Sequence, residues 1–377
     1  MNPASASSRN DAKTYKRVRS FDPEGVVNPT MVTLAREAAG LTQKGLSEKL
    51  GITQGRLSKI EAGLLPMTEE VLASMATEVD RPETFFFQRG PSFGVGIGEI
   101  YHRKRADTPK KILARIYARI EIRIRQVAAL LLAVEVPVCV RKLDIDEFHG
   151  DAAAIAQLTR ATWGVPRGPI VDLTKTAEDA GIVIVPMDFE TAHIDAIGRW
   201  LPGLPPMVFV NEHSPRDRYR FSVAHEIGHL LMHEFPTPDM EAQADSFAAE
   251  FLCPAAEIKV DLHDLRLDRL PQLKRYWRVS MASLIHRARE TKAITANRAR
   301  TLWTQMAQAG YTKREPVELD LSGEQPRLLF EMIDAHREEL GFNLDELQIL
   351  LRVNRPEFQT AFERAAHGPK LRLVRPA

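Results

Sequence analysis

Five consecutive residues, His225-Glu226-Ile227-Gly228-His229, constrain this chain more than any other stretch, because they read H-E-x-x-H. On an α-helix, residues four apart stand on one face a turn apart, so both imidazoles can reach one metal ion. Glu226 is offset by about 100° from His225 and can hold a water on that ion. Val223, Ala224, Ile227, Leu230 and Leu231 supply an apolar surface around the histidines. The pattern predicts a buried helix with polar groups pointing into a cavity, not a solvated surface helix. Ser214-Pro215-Arg216-Asp217 predicts its start, with a hydroxyl at the N-cap, proline at the first helical position and an acid at the third.

A catalytic zinc takes three protein ligands and keeps the fourth position for water. His233 continues the i, i+4 ladder, but on a straight helix it lies about 12 Å along the axis from His225, too far for one ion. It reads instead as a helix C-terminal histidine facing the dipole. Met232 and Phe235 stand where the longer H-E-x-x-H-x-x-G-x-x-H pattern needs glycine and histidine. Residues 240–252 are helical by period, with Ala244, Phe247, Ala248, Phe251 and Leu252 on one side. Glu241 and Asp245 share a face of that helix, giving E-x-x-x-D after H-E-x-x-H, the arrangement of zincins whose third ligand is a glutamate. Glu241 is the expected ligand and Asp245 the expected acceptor for the free N–H of a ligand histidine. The rival Glu250 falls about 180° round the helix from Glu241.

The runs 220–233 and 241–254, which carry these residues, resemble the ImmA/IrrE family of metallopeptidases. That resemblance implies a gluzincin-like fold, one zinc ion per chain and proteolysis of a transcriptional repressor. It places the metal ligands on His225, His229 and Glu241 and the catalytic base on Glu226. In such a site zinc polarises the scissile carbonyl and acidifies its water, while Glu226 takes the water's proton and passes it to the leaving amine. Arg218, Tyr219, His193 and Arg220 are each available to stabilise the oxyanion, and nothing in the spacing chooses among them.

Upstream, 181–186 and 206–211 are short β-rich runs bounded by turn residues, and 196–201 offers a third strand. A small sheet packed on the metal helix is the expected architecture. Its edge could hold an extended peptide by main-chain pairing, or the strands could be core alone.

The second informative region is 33–63. Helical segments carrying Leu46, Leu50, Leu57 and Ile60 are broken by Gly51, with Thr53 placed as an N-cap, a helix-turn-helix pattern. With the G-L-T-Q opening at 40–43 and the ending at 57–63, it closely resembles the Cro/C1-type (XRE) domain. That resemblance sends the second helix into the major groove of double-stranded operator DNA. Gln54, Arg56 and Ser58 then face bases or phosphates, with Thr53 and Lys59 beside them and Gln43 on the backbone. The first 60 residues hold ten basic and five acidic side chains in a chain of net charge +1, a bias that suits phosphate contacts.

A chain of 377 residues accommodates two or three domains. The expected class is α+β and multidomain. A basic tail (1–25) precedes an all-α helix-turn-helix domain (26–88), then a linker and connecting helix (89–136). A metallopeptidase domain of small sheet plus H-E-x-x-H helix (137–312) and a helical C-terminal extension (313–377) follow. The connecting helix, striped with Ile112, Ile116, Ile120, Val127, Leu130 and Leu131, could pack on the peptidase or form a homodimer. Only Cys139 and Cys253 are present, without C-x-x-C, which excludes a disulfide framework or thiolate zinc knuckle. The first 20 residues lack the apolar core of a secretory signal, and no run spans a bilayer, so a cytoplasmic protein is expected.

Together these features predict a transcriptional regulator that joins DNA binding to zinc proteolysis of a repressor or of itself. Glu226 weighs against a zinc domain that is only a sensor, since a structural site needs no base. The specific helix-turn-helix weighs against a housekeeping peptidase.

Overall fold

The computed structural model describes residues 25–90 and 108–362. Residues up to 24 of the expected basic tail and 91–107 of the expected linker lie outside the described residues. In chain order the helices are α1 (Pro29–Ala38), α2 (Gln43–Lys49), α3 (Gln54–Glu61), α4 (Glu69–Glu78), α5 (Lys110–Leu130), α6 (Ala152–Thr162) and α7 (Leu173–Asp179). Strands β1 (Val183–Met187), β2 (Ala196–Arg199) and β3 (Met207–Asn211) follow. Then come α8 (Arg216–Met232), α9 (Met240–Leu252), α10 (Ala255–Ile258), α11 (Leu270–Trp277), α12 (Met281–Glu290) and α13 (Ala296–Gln308). The last three are α14 (Leu328–Glu338), α15 (Leu344–Leu351) and α16 (Arg355–Phe362). The class is α+β, in two compact units.

Among the described residues the first unit is assembled from three stretches of chain: 25–90, 109–135 and 330–362. Polar side chains start its helices. Asn28, Thr42 and Thr53 accept from the backbone N–H of Thr30, Gly45 and Arg56, and so satisfy donors that a helix start leaves bare. Gly51, at φ +65°, supplies the left-handed residue that ends α2 and lets the chain turn into α3. Met31, Leu46, Leu57, Ile60 and Met75 close a small core, and Ala118 and Ile122 of α5 belong to it. Arg119 Nε donates to Ala38 O (3.2 Å), covering a carbonyl at the end of α1. Gly40 (φ +69°) lies so close beneath the Arg115 guanidinium that a Cβ would sit 1.8 Å from it. Helix α5, expected as a connector, is thus a core element here.

The C-terminal helices belong to the same unit. Gln126 Nε2 donates to Leu351 O (3.4 Å), and the Arg123 guanidinium stands 4.6 Å from the centre of the Phe362 ring. Asn354 Nδ2 donates to Asp80 Oδ1 (2.8 Å), and Arg81 pairs with Glu357.

The second unit covers 136–329. Its sheet has the order β1-β3-β2, with β1 parallel and β2 antiparallel to β3. All five residues of the central β3 are buried, as expected of a strand covered on both sides. Helix α8 packs on β2 and β3, and α9 packs on α8. At Gly228 an added Cβ would lie 3.0 Å from the Phe247 ring, so glycine allows α8 and α9 their close approach. Ile184, Val208, Val223, Ile227, Phe251, Trp277, Leu284 and Leu302 form one continuous core.

Several buried polar groups inside this unit are paired. Glu324 meets Arg220 and the backbone and hydroxyl of Thr174. Glu250, the rival ligand candidate, is committed to Arg287 and Gln157. Lys274 bonds Glu315 (2.6 Å). One start signal is placed differently from its expectation. Pro215, not Ser214, is the N-cap of α8 and offers no side-chain cap. The Ser214 hydroxyl is drawn to Asp195 Oδ1 (2.6 Å) instead, a charge-assisted bond that outcompetes the cap. Among the described residues no helix is long and apolar enough to cross a membrane.

Candidate functional site

The i, i+4 spacing on α8 places His225 and His229 with their Nε2 atoms 2.9 Å apart. Glu241, in the first turn of α9, brings Oε2 to 3.4 Å from His225 Nε2 and Oε1 to 3.4 Å from His229 Nε2. Ligand atoms of these three residues all lie within 4.8 Å of one another. Metal–ligand bonds of ~2.1 Å in tetrahedral geometry put neighbouring ligand atoms about 3.4 Å apart. The three side chains therefore converge closely enough to share one ion. Glu241 Oε1 is buried and has no hydrogen-bond donor in good geometry. Two facing imidazole nitrogens and an unsatisfied carboxylate oxygen fit an ion better than they fit each other.

The electrostatics agree. Burial works against a charged His225, but bonds to Asp245 and Glu241 and the charge of Glu226 hold its pKa up at about 9. Burial alone would likewise raise Glu241, yet the close imidazoles of His225 and His229 and their charge keep its carboxyl well below the usual range. A pocket that favours imidazolium and carboxylate favours positive charge at its centre.

Around the three, Asp245 Oδ1 lies 2.8 Å from His225 Nδ1, the nitrogen turned away from the tripod. Glu226 is 5% exposed, and its Oε2 accepts the backbone N–H of Gly198 on β2 (2.6 Å). No spacing rule foretold that contact, since Gly198 stands 28 residues upstream. His233 also departs from its expectation. Helix α8 ends at Met232, and His233 is its extended C-cap (φ −114°, ψ 115°). Its side chain leaves the helix axis for His229 and Gln243, so facing the dipole is not its role here.

Three of the four oxyanion candidates are engaged elsewhere. Arg220 is held by Glu324 and Ile170 O, Tyr219 by Thr174, and Arg218 by Asp195. His193 is exposed.

In the helix-turn-helix, Thr53, Gln54, Arg56, Ser58 and Lys59 are all exposed along α3, while Leu57 and Ile60 face the core. Gln43 is placed differently from its five companions. Its Nε2 donates to Glu61 Oε2 (2.7 Å), and Glu61 is paired with Arg36 (2.6 Å) beneath it.

Comparison with family models assigns both regions. Residues 33–86 match the helix-turn-helix model, and residues 177–289 match the IrrE N-terminal-like domain of the M78 peptidases. No curated protein matches the chain. A DNA-binding domain accompanied by a protease-like domain makes the chain, in outline, a DNA-binding regulator. From N- to C-terminus, the chain joins an XRE-type helix-turn-helix domain to a peptidase domain of the IrrE/ImmA-like family.

Proposed function

We propose that this protein is a DNA-binding transcriptional regulator whose second unit is a zinc-dependent endopeptidase acting on a repressor protein, in trans or on itself. The observation that carries this reading is the convergence of His225, His229 and Glu241 within 4.8 Å of one another, with Glu226 fixed one residue from the first of them. His225 Nε2, His229 Nε2 and the Glu241 carboxylate would hold one zinc. When bound, zinc supplies Lewis acidity to the scissile carbonyl and to a water. Glu226 is the base that removes that water's proton and returns it to the departing amine. Its grip on the Gly198 N–H fixes the carboxylate's orientation, so proton transfer needs no search among rotamers. Asp245 accepts from His225 Nδ1 and thereby keeps Nε2 free of hydrogen and turned to the ion.

Exposed Gln54, Arg56, Ser58 and Lys59 support contact with the major groove of duplex DNA, while Gln43 buttresses Glu61 and is available to phosphate only through its second amide hydrogen. Attachment to a DNA reader favours a regulatory substrate over bulk digestion.

The test compares cells expressing the wild-type chain with cells expressing Glu226→Gln, scoring new protein N-termini. Glu226→Gln retains one zinc per chain and loses every cut that the wild type makes. Equal cutting by both proteins would sink the mechanism. No cut under any inducing condition would favour a regulator whose zinc domain only senses.

A further inference from the structure

His229 is engaged at both ring nitrogens. Nε2 faces the tripod, and Nδ1 lies 3.0 Å from Nδ1 of His233. His233 Nε2 in turn lies 2.9 Å from Gln243 Oε1. The three residues form a chain running from α8 to α9, with His229 buried and the other two half-buried.

Hydrogen placement along this chain follows from one end. A ligand nitrogen carries no hydrogen, so zinc on His229 Nε2 leaves the ring hydrogen on Nδ1. Two facing Nδ1 atoms share one hydrogen, and therefore His233 Nδ1 presents its lone pair. The hydrogen of neutral His233 then sits on Nε2 and points at the Gln243 carbonyl oxygen, an acceptor. Every atom in the chain has the role its chemistry allows.

We propose that His233 and Gln243 are positioning residues for the metal ligand His229, acting in series. This rests on the reading of His225, His229 and Glu241 as a zinc site. The two ligand histidines are then supported in different ways. His225 leans on the carboxylate of Asp245, a charge close to the centre. His229 leans on an imidazole and an amide, a neutral path that fixes ring direction and tautomer without adding charge. Helix geometry makes the second arrangement available. Residues four apart already stand on one face of a helix, and with the chain extended at His233 its ring keeps Nδ1 against His229 while Nε2 meets Gln243 of α9.

Partners that orient a ligand histidine are typically worth about 10–100-fold in metal affinity. The experiment measures Zn2+ affinity by competition with a fluorescent chelator, and the visible spectrum of the Co2+ form, for the full chain. His233→Phe fills the same space without an acceptor. It is expected to weaken Zn2+ binding by about 10–100-fold and shift the Co2+ bands, with an unchanged melting temperature of the metal-free protein. His233→Asn, whose carbonyl can still accept from Nδ1, is expected to restore most of the affinity. Gln243→Leu weakens binding less, and adds nothing in a His233→Phe background because it acts through His233.

Unchanged Zn2+ affinity in His233→Phe, or independent and additive effects of the two changes, overturns the proposal. The metal-site reading fails separately. If the wild type binds no Zn2+, or if His225→Ala binds it as tightly as the wild type, that reading falls and takes this proposal with it. Tight wild-type binding that is lost in His225→Ala but untouched in His233→Phe removes the positioning role alone.

Discussion

Glu226 and Gly198 are joined by a 2.6 Å hydrogen bond from the strand's backbone N–H to the carboxylate Oε2, and an added Cβ at Gly198 would stand 3.0 Å from that same oxygen. The residue that holds the base in place is thus the one whose missing side chain makes room for it. Leu230, at 3.2 Å from the same Cβ position, blocks retreat in the other direction.

Gly198→Ala should therefore displace Glu226 while sparing the ligands. The expected result is cleavage reduced by about 100-fold, as for small misplacements of reacting groups, with zinc stoichiometry retained. Metal analysis and cleavage rate on one preparation check it. A fully active Gly198→Ala protein would remove the orienting role of this contact.

Asp245→Ala strips His225 of its acceptor. Zn2+ affinity should fall by about 10–100-fold, and Asp245→Asn should recover part of it because the amide oxygen still accepts. Titration against a competing chelator reads both. Equal affinities in all three proteins would leave Asp245 a surface acid.

These site residues were legible in the sequence for a specific reason. His225–His229 and Glu241–Asp245 are spaced by one helical turn, so covalent geometry alone puts each pair on one face. The strands at 183–187 and 207–211 announced themselves by β-rich runs between turn residues, whereas 196–199 holds one β-branched residue, Ile197. Other features depend on where the chain goes afterwards. Gly198 meets Glu226 only once β2 lies beside α8. His233 meets Gln243 only once α9 lies beside α8. Arg220 and Glu324 are 104 residues apart, and no periodicity links them. Likewise, the apolar stripe of α5 declared that it would pack but not against what.

The Arg220–Glu324 pair gives a stability test. Arg220 is 2% exposed, so Glu324→Leu leaves a buried guanidinium uncompensated. Loss of one partner of a buried pair costs about 3–5 kcal/mol, whereas replacing both by apolar residues is often nearly neutral. Urea unfolding should show Glu324→Leu severely destabilised and Arg220→Met/Glu324→Leu much closer to wild type. Equal destabilisation of the single and double variants would contradict this account.

Alkaline pH offers a second one. Burial pushes the Cys253 thiol from an ordinary 9.0 up to about 12, and pushes the Tyr219 phenol from 10.0 up to about 12. Both groups stay neutral when folded at pH values where the unfolded chain ionises. Their stabilising effect is thus fully present below about pH 9 and is lost as pH rises towards 12, by about 1.4 kcal/mol per unit for each group. Denaturation midpoints between pH 8 and 11 should fall more gently in Cys253→Ala than in the wild type. Parallel slopes would refute the thiol's share.

On the DNA side, Arg56 and Lys59 project from α3 into solvent. Arg56→Ala and Lys59→Ala should each lower the slope of log affinity against log salt by about 1 on duplex DNA, if each neutralises one phosphate. A slope unchanged in both variants would take α3 off the backbone.

The first unit takes its helices from both sides of the peptidase segment: α1 to α5 precede it, and α15 and α16 follow it. A single backbone cut anywhere in 136–329 would consequently leave the helix-turn-helix on one polypeptide and α15 and α16 on another, with the first unit held by noncovalent contacts such as Gln126 with Leu351 and Arg81 with Glu357. Self-cleavage there would not release the whole first unit as one polypeptide. It would turn that unit into a noncovalent complex, so scission and departure of the C-terminal helices from the helix-turn-helix become separable in time.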